Sequence, residues 1–245
     1  MIDTDGFVVF DHDDRTARWA SAAEAVATGL VNDPETRLRN LRHGDTWFVG
    51  VDVLPNDADG GVSSVPLAGP WQNQVPELPL HFGQVSIVYP GYPKRDADQS
   101  EANHLFRIKR MAGHVDGLLP EGARRRRYAR EVHAYILGLP LNDVPAAPTV
   151  VWKGSHKIMQ NAFQNAIADQ DPREVDITDA YQAARRSVFD SCEMVPIRAK
   201  PGQSFLIHRF AVHGTAPWEG ADDAGRMIAF FRPEFPNPAD WLNQA

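Results

Sequence analysis

The apolar residues of this chain come in short runs broken by proline and glycine, and that punctuation constrains the fold more than any other feature. Six runs, at 45–54, 84–89, 130–137, 149–152, 204–207 and 226–232, are β-branched or aromatic and bounded by Gly or Pro, as strands are. The 19 prolines fall mainly between these runs, where irregular loops are expected. Helical spacing appears in three places only. Trp19, Ala22, Val26 and Leu30 predict a helix over 15–30, a second is expected over 159–168, and a third starts near Thr178 and carries Tyr181, Ala184 and Val188. Strands and helices do not alternate. An antiparallel, mainly β sandwich or barrel with added helices therefore fits better than a parallel α/β sheet.

The chain has 245 residues, enough to bury a core of its own, and a single domain is expected over 1–245. Its 25 Lys and Arg against 32 Asp and Glu leave a formal net charge of −7, which supports neither a nucleic-acid nor an anionic-membrane partner. No apolar run approaches the roughly 18 residues needed to span a bilayer. Asp3 and Asp5 stand where a secretory signal carries Lys or Arg, so a cytoplasmic protein is expected. Cys192 is the single cysteine, which rules out an intrachain disulfide and a thiolate zinc site. With nine histidines available, a bound metal must be held by imidazole and carboxylate.

Those two ligand types converge most simply as His-x-Asp on a strand, where positions i and i+2 share a face. Three tripeptides fit: His12 to Asp14, His43 to Asp45 and His114 to Asp116. Chance alone supplies about one, so the tripeptide decides nothing without its context. His12 and Asp14 lie in an acidic cluster before the first expected helix and read as a capped, solvated turn. His43 and Asp45, between an Arg-rich segment and a strand, also read as a turn. His114 and Asp116 are followed by Gly117, a strand near His133, and the segment Trp152, Lys153, Gly154, Ser155, His156, Lys157. Further on come Pro201, Gly202 and an apolar run, then His213, Gly214 and Thr215, then Arg226 at the head of an apolar strand.

This succession resembles the phytanoyl-CoA dioxygenase family of iron(II)- and 2-oxoglutarate-dependent oxygenases over roughly residues 84–233. The resemblance implies a double-stranded β-helix (jelly roll, cupin-like) as catalytic core at 84–233, with helical and strand additions at 1–83. It implies that His114, Asp116 and His213 hold Fe(II) as a 2-His-1-carboxylate triad, leaving positions for 2-oxoglutarate and O₂. Arg226, 13 residues after His213, takes the place of the base that pairs with the distal carboxylate of 2-oxoglutarate; a planar guanidinium suits that task. Thr215 stands where the family has a hydroxyl to the same carboxylate, and Tyr135 is implied as a co-substrate contact. Relatives that halogenate carry a small residue in place of Asp116, so hydroxylation of a small organic substrate is the expected outcome.

Several alternatives stay open on sequence grounds. His208 is a second choice for the distal ligand, although Gly214 and the spacing to Arg226 favour His213. His156 reads as part of a structural turn, and Cys192 as a core or loop thiol. A cupin-type metalloenzyme without 2-oxoglutarate would draw on His208 or His133, and a non-catalytic jelly-roll binding module would need neither metal nor co-substrate. Arg124, Arg125, Arg126 and Arg127 form the one dense basic patch. It reads as a solvated face, since four consecutive arginines cannot all enter one pocket, with an anionic substrate as the competing assignment.

Overall fold

The strands pair from the two ends of the core inward. The structure is a computed structural model that describes residues 2–221 and 223–243. The strands among them are β1 (Phe7–Phe10), β2 (Leu41–Arg42), β3 (Trp47–Leu54), β4 (Gly83–Val88), β5 (Leu118–Glu121), β6 (Arg126–Ala129), β7 (Tyr135–Pro140), β8 (Thr149–Trp152), β9 (Met194–Ile197), β10 (Ser204–His208), β11 (His213–Thr215) and β12 (Arg226–Phe231). β4 pairs with β12, a bridge at His114 meets His213 on β11, β7 pairs with β10, and β8 pairs with β9. The first core strand thus meets the last, the second the second-last, and so on to the middle. That nesting is the winding of a double-stranded β-helix. It yields a seven-stranded sheet in the order β1-β10-β7-β12-β4-β3-β2 and a three-stranded sheet in the order β11-β8-β9, with β5 and β6 as a separate hairpin. Residues 1–83 contribute to the same large sheet: β1 pairs with β10 at one edge, and β3 with β4 toward the other.

Alternation then sorts the side chains between two faces. Ile228 and Phe230 of β12 join Ile136 of β7, Phe205 and Ile207 of β10 and Val151 of β8 in an apolar cluster shared by the two sheets. On the other face, Ala229 and Phe231 pack in the main core with Leu137, Leu139 and Leu206. The helix Asp14–Asn32 covers that face with Trp19, Ala23 and Ala27, all buried. Asp13 caps it by accepting from the N–H groups of Arg15 and Thr16. The Trp19 ring lies 5.8 Å from that of Phe231, and its indole N–H donates to the Gly60 carbonyl at 2.8 Å. Trp19→Ala should therefore cost about 3–5 kcal/mol in urea unfolding; a loss under about 1 kcal/mol would show that the helix is not part of the core.

Two expected elements shift. The run at 130–137 is not one strand, because the Arg130 and Glu131 N–H groups turn onto the Gly117 carbonyl and the chain rejoins the large sheet only at Tyr135. The segment read as a turn at His156 instead opens the helix Ser155–Ile167, entered through Gly154 at φ 76°. The helices Asp14–Asn32 and Thr178–Ser191 lie where periodicity places them. Helix Glu101–Arg110 buries no residue, so it leaves no core-facing pattern to read. Among the described residues no helix is long and apolar enough to cross a membrane.

His208, on the face away from the inter-sheet cluster, is buried with its ring 4.9 Å from that of His156. Burial, assisted by Arg209 and His156, pushes its pKa down to about 3. The unfolded chain binds a proton near pH 6.5 that the folded chain refuses. The His208 penalty is therefore absent above about pH 6.5 and lowers stability as pH falls from there toward 3. His208→Gln should flatten that limb of the stability curve relative to wild type; an identical slope would show that His208 does not carry the loss.

Candidate metal centre

The nesting of strands brings His114 and His213 together. Their backbones form a reciprocal pair, His114 N–H to His213 O at 2.9 Å and His213 N–H to His114 O at 3.0 Å. Both side chains leave the same face, with ring centroids 4.7 Å apart. Asp116 follows His114 by two residues: its Oδ1 lies 2.8 Å from His114 Nε2, and its Oδ2 lies 3.4 Å from His213 Nε2. One ligand atom from each of the three lies within 4.8 Å of the others, and no other such cluster occurs among the described residues.

The surroundings fix how these atoms point. His114 Nδ1 faces the Ala112 carbonyl and His213 Nδ1 the Ala211 carbonyl, each at 3.0 Å. A ring nitrogen facing a carbonyl carries the proton, so Nε2 of each ring is the atom turned toward Asp116 and offered to a metal. Burial opposes ionisation of Asp116, but Arg232 and His213 outweigh it and hold the carboxyl well below the usual carboxylate range. Arg232 donates through Nε to Asp116 Oδ2 at 2.5 Å and through a terminal nitrogen to Gln84 Oε1 at 2.6 Å. Two glycines permit the close approach. At Gly117, with φ 77°, a Cβ would meet the Glu131 carbonyl at 2.2 Å, and at Gly214 one would meet the Met111 carbonyl at 2.2 Å. Gly214→Ala must therefore push β11 away from the His114 segment. The expected result is at least tenfold weaker metal binding in a titration, and unchanged affinity would contradict the close packing.

A cavity of about 400 Å³ opens on the three residues, its wall including Thr149, Thr215, Phe230 and Arg232. Thr149 and Thr215 are cross-strand partners. Behind Thr149 stands Arg226, 4% exposed, donating to the Thr149 hydroxyl at 3.5 Å. Its Nε is buried with no partner, and burial pulls its pKa down to about 10. Such a cation asks for an anion.

Tyr135 does not join this group. On β7 it alternates with Ile136, which enters the inter-sheet cluster, so its ring lies on the other face and lines a separate cavity with Trp71 and Leu67. Burial there pushes its hydroxyl up to about 12. His208 lies outside the cluster as well, accepting at Nδ1 from the Phe210 N–H at 3.1 Å. His12 pairs with Asp14 on the surface, and His43 stacks on Trp47. His133 lines the cavity, its Nε2 3.2 Å from Glu131. Of the basic run, only Arg127 reaches the cavity, while Arg126 turns to Asp176 and Asp179.

No family model matches the chain, and no curated protein sequence matches it. Solved structures do. EctD from S. alaskensis, solved with 2-oxoglutarate and 5-hydroxyectoine, is 16% identical and aligns over 95% of this chain and 73% of that one, with a TM-score of 0.45. The non-haem α-ketoglutarate-dependent carbocyclase SnoK from nogalamycin biosynthesis is 13% identical over 95% of this chain and 81% of its own, at 0.47. HygX from Streptomyces hygroscopicus, solved with nickel and 2-oxoglutarate, is 16% identical over 96% and 85%, at 0.42.

Proposed function

We propose that the chain is an iron(II)- and 2-oxoglutarate-dependent oxygenase of the phytanoyl-CoA dioxygenase type that hydroxylates a small organic substrate. One observation carries this reading: three metal-ligating side chains converge in a cavity backed by a buried arginine with an unpartnered Nε. Two imidazole nitrogens and one carboxylate on one side of a metal suit non-haem iron(II) and leave coordination positions open. The orphaned Arg226 fits the far carboxylate of a dicarboxylic co-substrate whose other end reaches the metal.

When bound, iron(II) with 2-oxoglutarate and O₂ supplies the oxidising power for C–H hydroxylation, with succinate and CO₂ as co-products. The chain supplies position and charge. His114 and His213 present Nε2 because their Nδ1–H groups are held by carbonyls. Arg232 keeps Asp116 ionised and fixes its Oδ2, leaving Oδ1 to the metal. Thr149 and Thr215 line the cavity, with Arg226 behind Thr149, and Phe230 helps to exclude water. A carboxylate at position 116 fills the place a halide would need, which favours hydroxylation over halogenation. The test is conversion of 2-oxoglutarate to succinate by iron-loaded protein under O₂. Slow uncoupled conversion that quickens with some member of a substrate panel is expected; none, with iron, O₂ and a broad panel, would leave a binding module as the better description.

A further inference from the structure

Beside the metal cavity lies a second of about 410 Å³, and the two share Trp47, His114, Arg127 and Thr215. Its wall carries Arg107, Arg127 and Arg185 and no carboxylate. That is an odd balance in a chain of net charge −7, where other arginines meet acids: Arg126 with Asp176, Arg130 with Glu121, Arg173 with Asp171, Arg232 with Asp116. Like charges gathered without counter-charges repel one another, and an anion relieves that repulsion.

The contacts these three arginines do make leave donors to spare. Arg107 donates to the Tyr92 hydroxyl at 2.9 Å, and its Nε is buried without a partner. Arg127 donates to the Leu118 carbonyl at 2.6 Å. Arg185 lies over the rings of Phe106 and Tyr181, 5.0 Å from each centroid, and Arg127 lies 5.4 Å from the same Tyr181 ring. Arg185 spends one donor, a terminal N–H, on the Tyr181 hydroxyl at 3.4 Å; stacking fixes the guanidinium planes without using the rest, which stay available to a carboxylate or phosphate. Arg226, assigned above to the co-substrate, is not in this wall.

We infer that Arg107, Arg127 and Arg185 form a substrate site for an oxyanionic group, a carboxylate or a phosphate, on an organic molecule whose remaining part lies against Trp47 and Phe106 and extends toward His114. The substrate assignment rests on the oxygenase reading of the adjoining cavity; the anion site itself rests on the arginines alone.

Calorimetric titration with phenyl phosphate, phenylacetate and the neutral phenylacetamide tests it, in metal-free protein and in protein loaded with manganese(II) and 2-oxoglutarate. Expected is one-to-one binding of at least one anion, at least tenfold tighter than the amide, in both forms. The preferred anion tells phosphate from carboxylate. Arg127→Gln and Arg185→Gln should each weaken that anion about tenfold or more, and Arg185→Gln, outside the wall of the metal cavity, should leave the Kd of 2-oxoglutarate unchanged. If a glutamine variant does not fold, Arg185→Lys and the salt dependence of wild-type binding replace it, with affinity expected to fall as salt rises. Equal binding of amide and anions, no binding of any probe, or variants with wild-type anion affinity would overturn the inference. So would a tenfold rise in the 2-oxoglutarate Kd in both variants, which would assign the cluster to the co-substrate. Anion binding that survives in a protein unable to bind metal or 2-oxoglutarate would sink the oxygenase reading and leave the anion site standing.

Discussion

Asp116→Ala is expected to abolish 2-oxoglutarate turnover and to weaken metal binding by about a hundredfold or more, since even outer partners of metal ligands are worth about 10–100-fold. The variant removes one of the three proposed ligands and also strands Arg232, which now donates to Asp116 at 2.5 Å. Only two imidazoles then remain to hold a divalent ion that the uncompensated guanidinium repels. Asp116→Asn keeps the shape and loses the charge, so it should fall nearly as far in affinity while unfolding closer to wild type. Metal titration of both variants, with unfolding followed in parallel, separates ligation from folding. Wild-type metal affinity in Asp116→Ala would show that the three residues converge for another reason.

Arg226→Met should behave in the opposite way. Arg226 is 4% exposed as a residue, and its guanidinium has an unpartnered Nε and makes one long bond to Thr149 at 3.5 Å. Removing a buried charge that lacks a counter-ion costs a metal-free protein little and can stabilise it, as apolar replacement of buried charges often does. The loss should appear with 2-oxoglutarate, whose affinity is expected to fall about 10–100-fold with the charge-assisted bonds. In thermal unfolding, 2-oxoglutarate held near its wild-type Kd should raise the Tm of the metal-loaded wild type and leave that of the variant nearly unmoved, and only that concentration is compared. A variant that loses several degrees on its own and still responds to 2-oxoglutarate would make Arg226 a structural cation.

The mainly β architecture was legible from the short punctuated runs, whereas the winding of the strands and the grouping of His114, Asp116 and His213 came from the family resemblance. His-x-Asp on one face is a local property, and the meeting of His114 with His213 follows once the core strands nest. Tyr135 failed on strand alternation: it neighbours inward-facing Ile136, and a strand boundary placed at 130 rather than 135 obscured its parity. Arg232 was missed although its signal was present, since it lies six residues after Arg226 in the expected strand and so shares a face with Ile228 and Phe230. Of the arginine cavity only Arg127 was in view, through the anionic-substrate assignment weighed for the basic run. Arg107, Arg127 and Arg185 come from a helix with no buried residue, a hairpin and a second helix, and only the tertiary fold brings them together.

Anaerobic titration of iron(II)-loaded protein with 2-oxoglutarate, followed by visible absorption, addresses the proposed metal and co-substrate together. A saturable charge-transfer band at one 2-oxoglutarate per iron is expected, absent in Asp116→Ala and shifted to about 10–100-fold higher concentration in Arg226→Met. Iron held at full occupancy with no band at any 2-oxoglutarate concentration would contradict it.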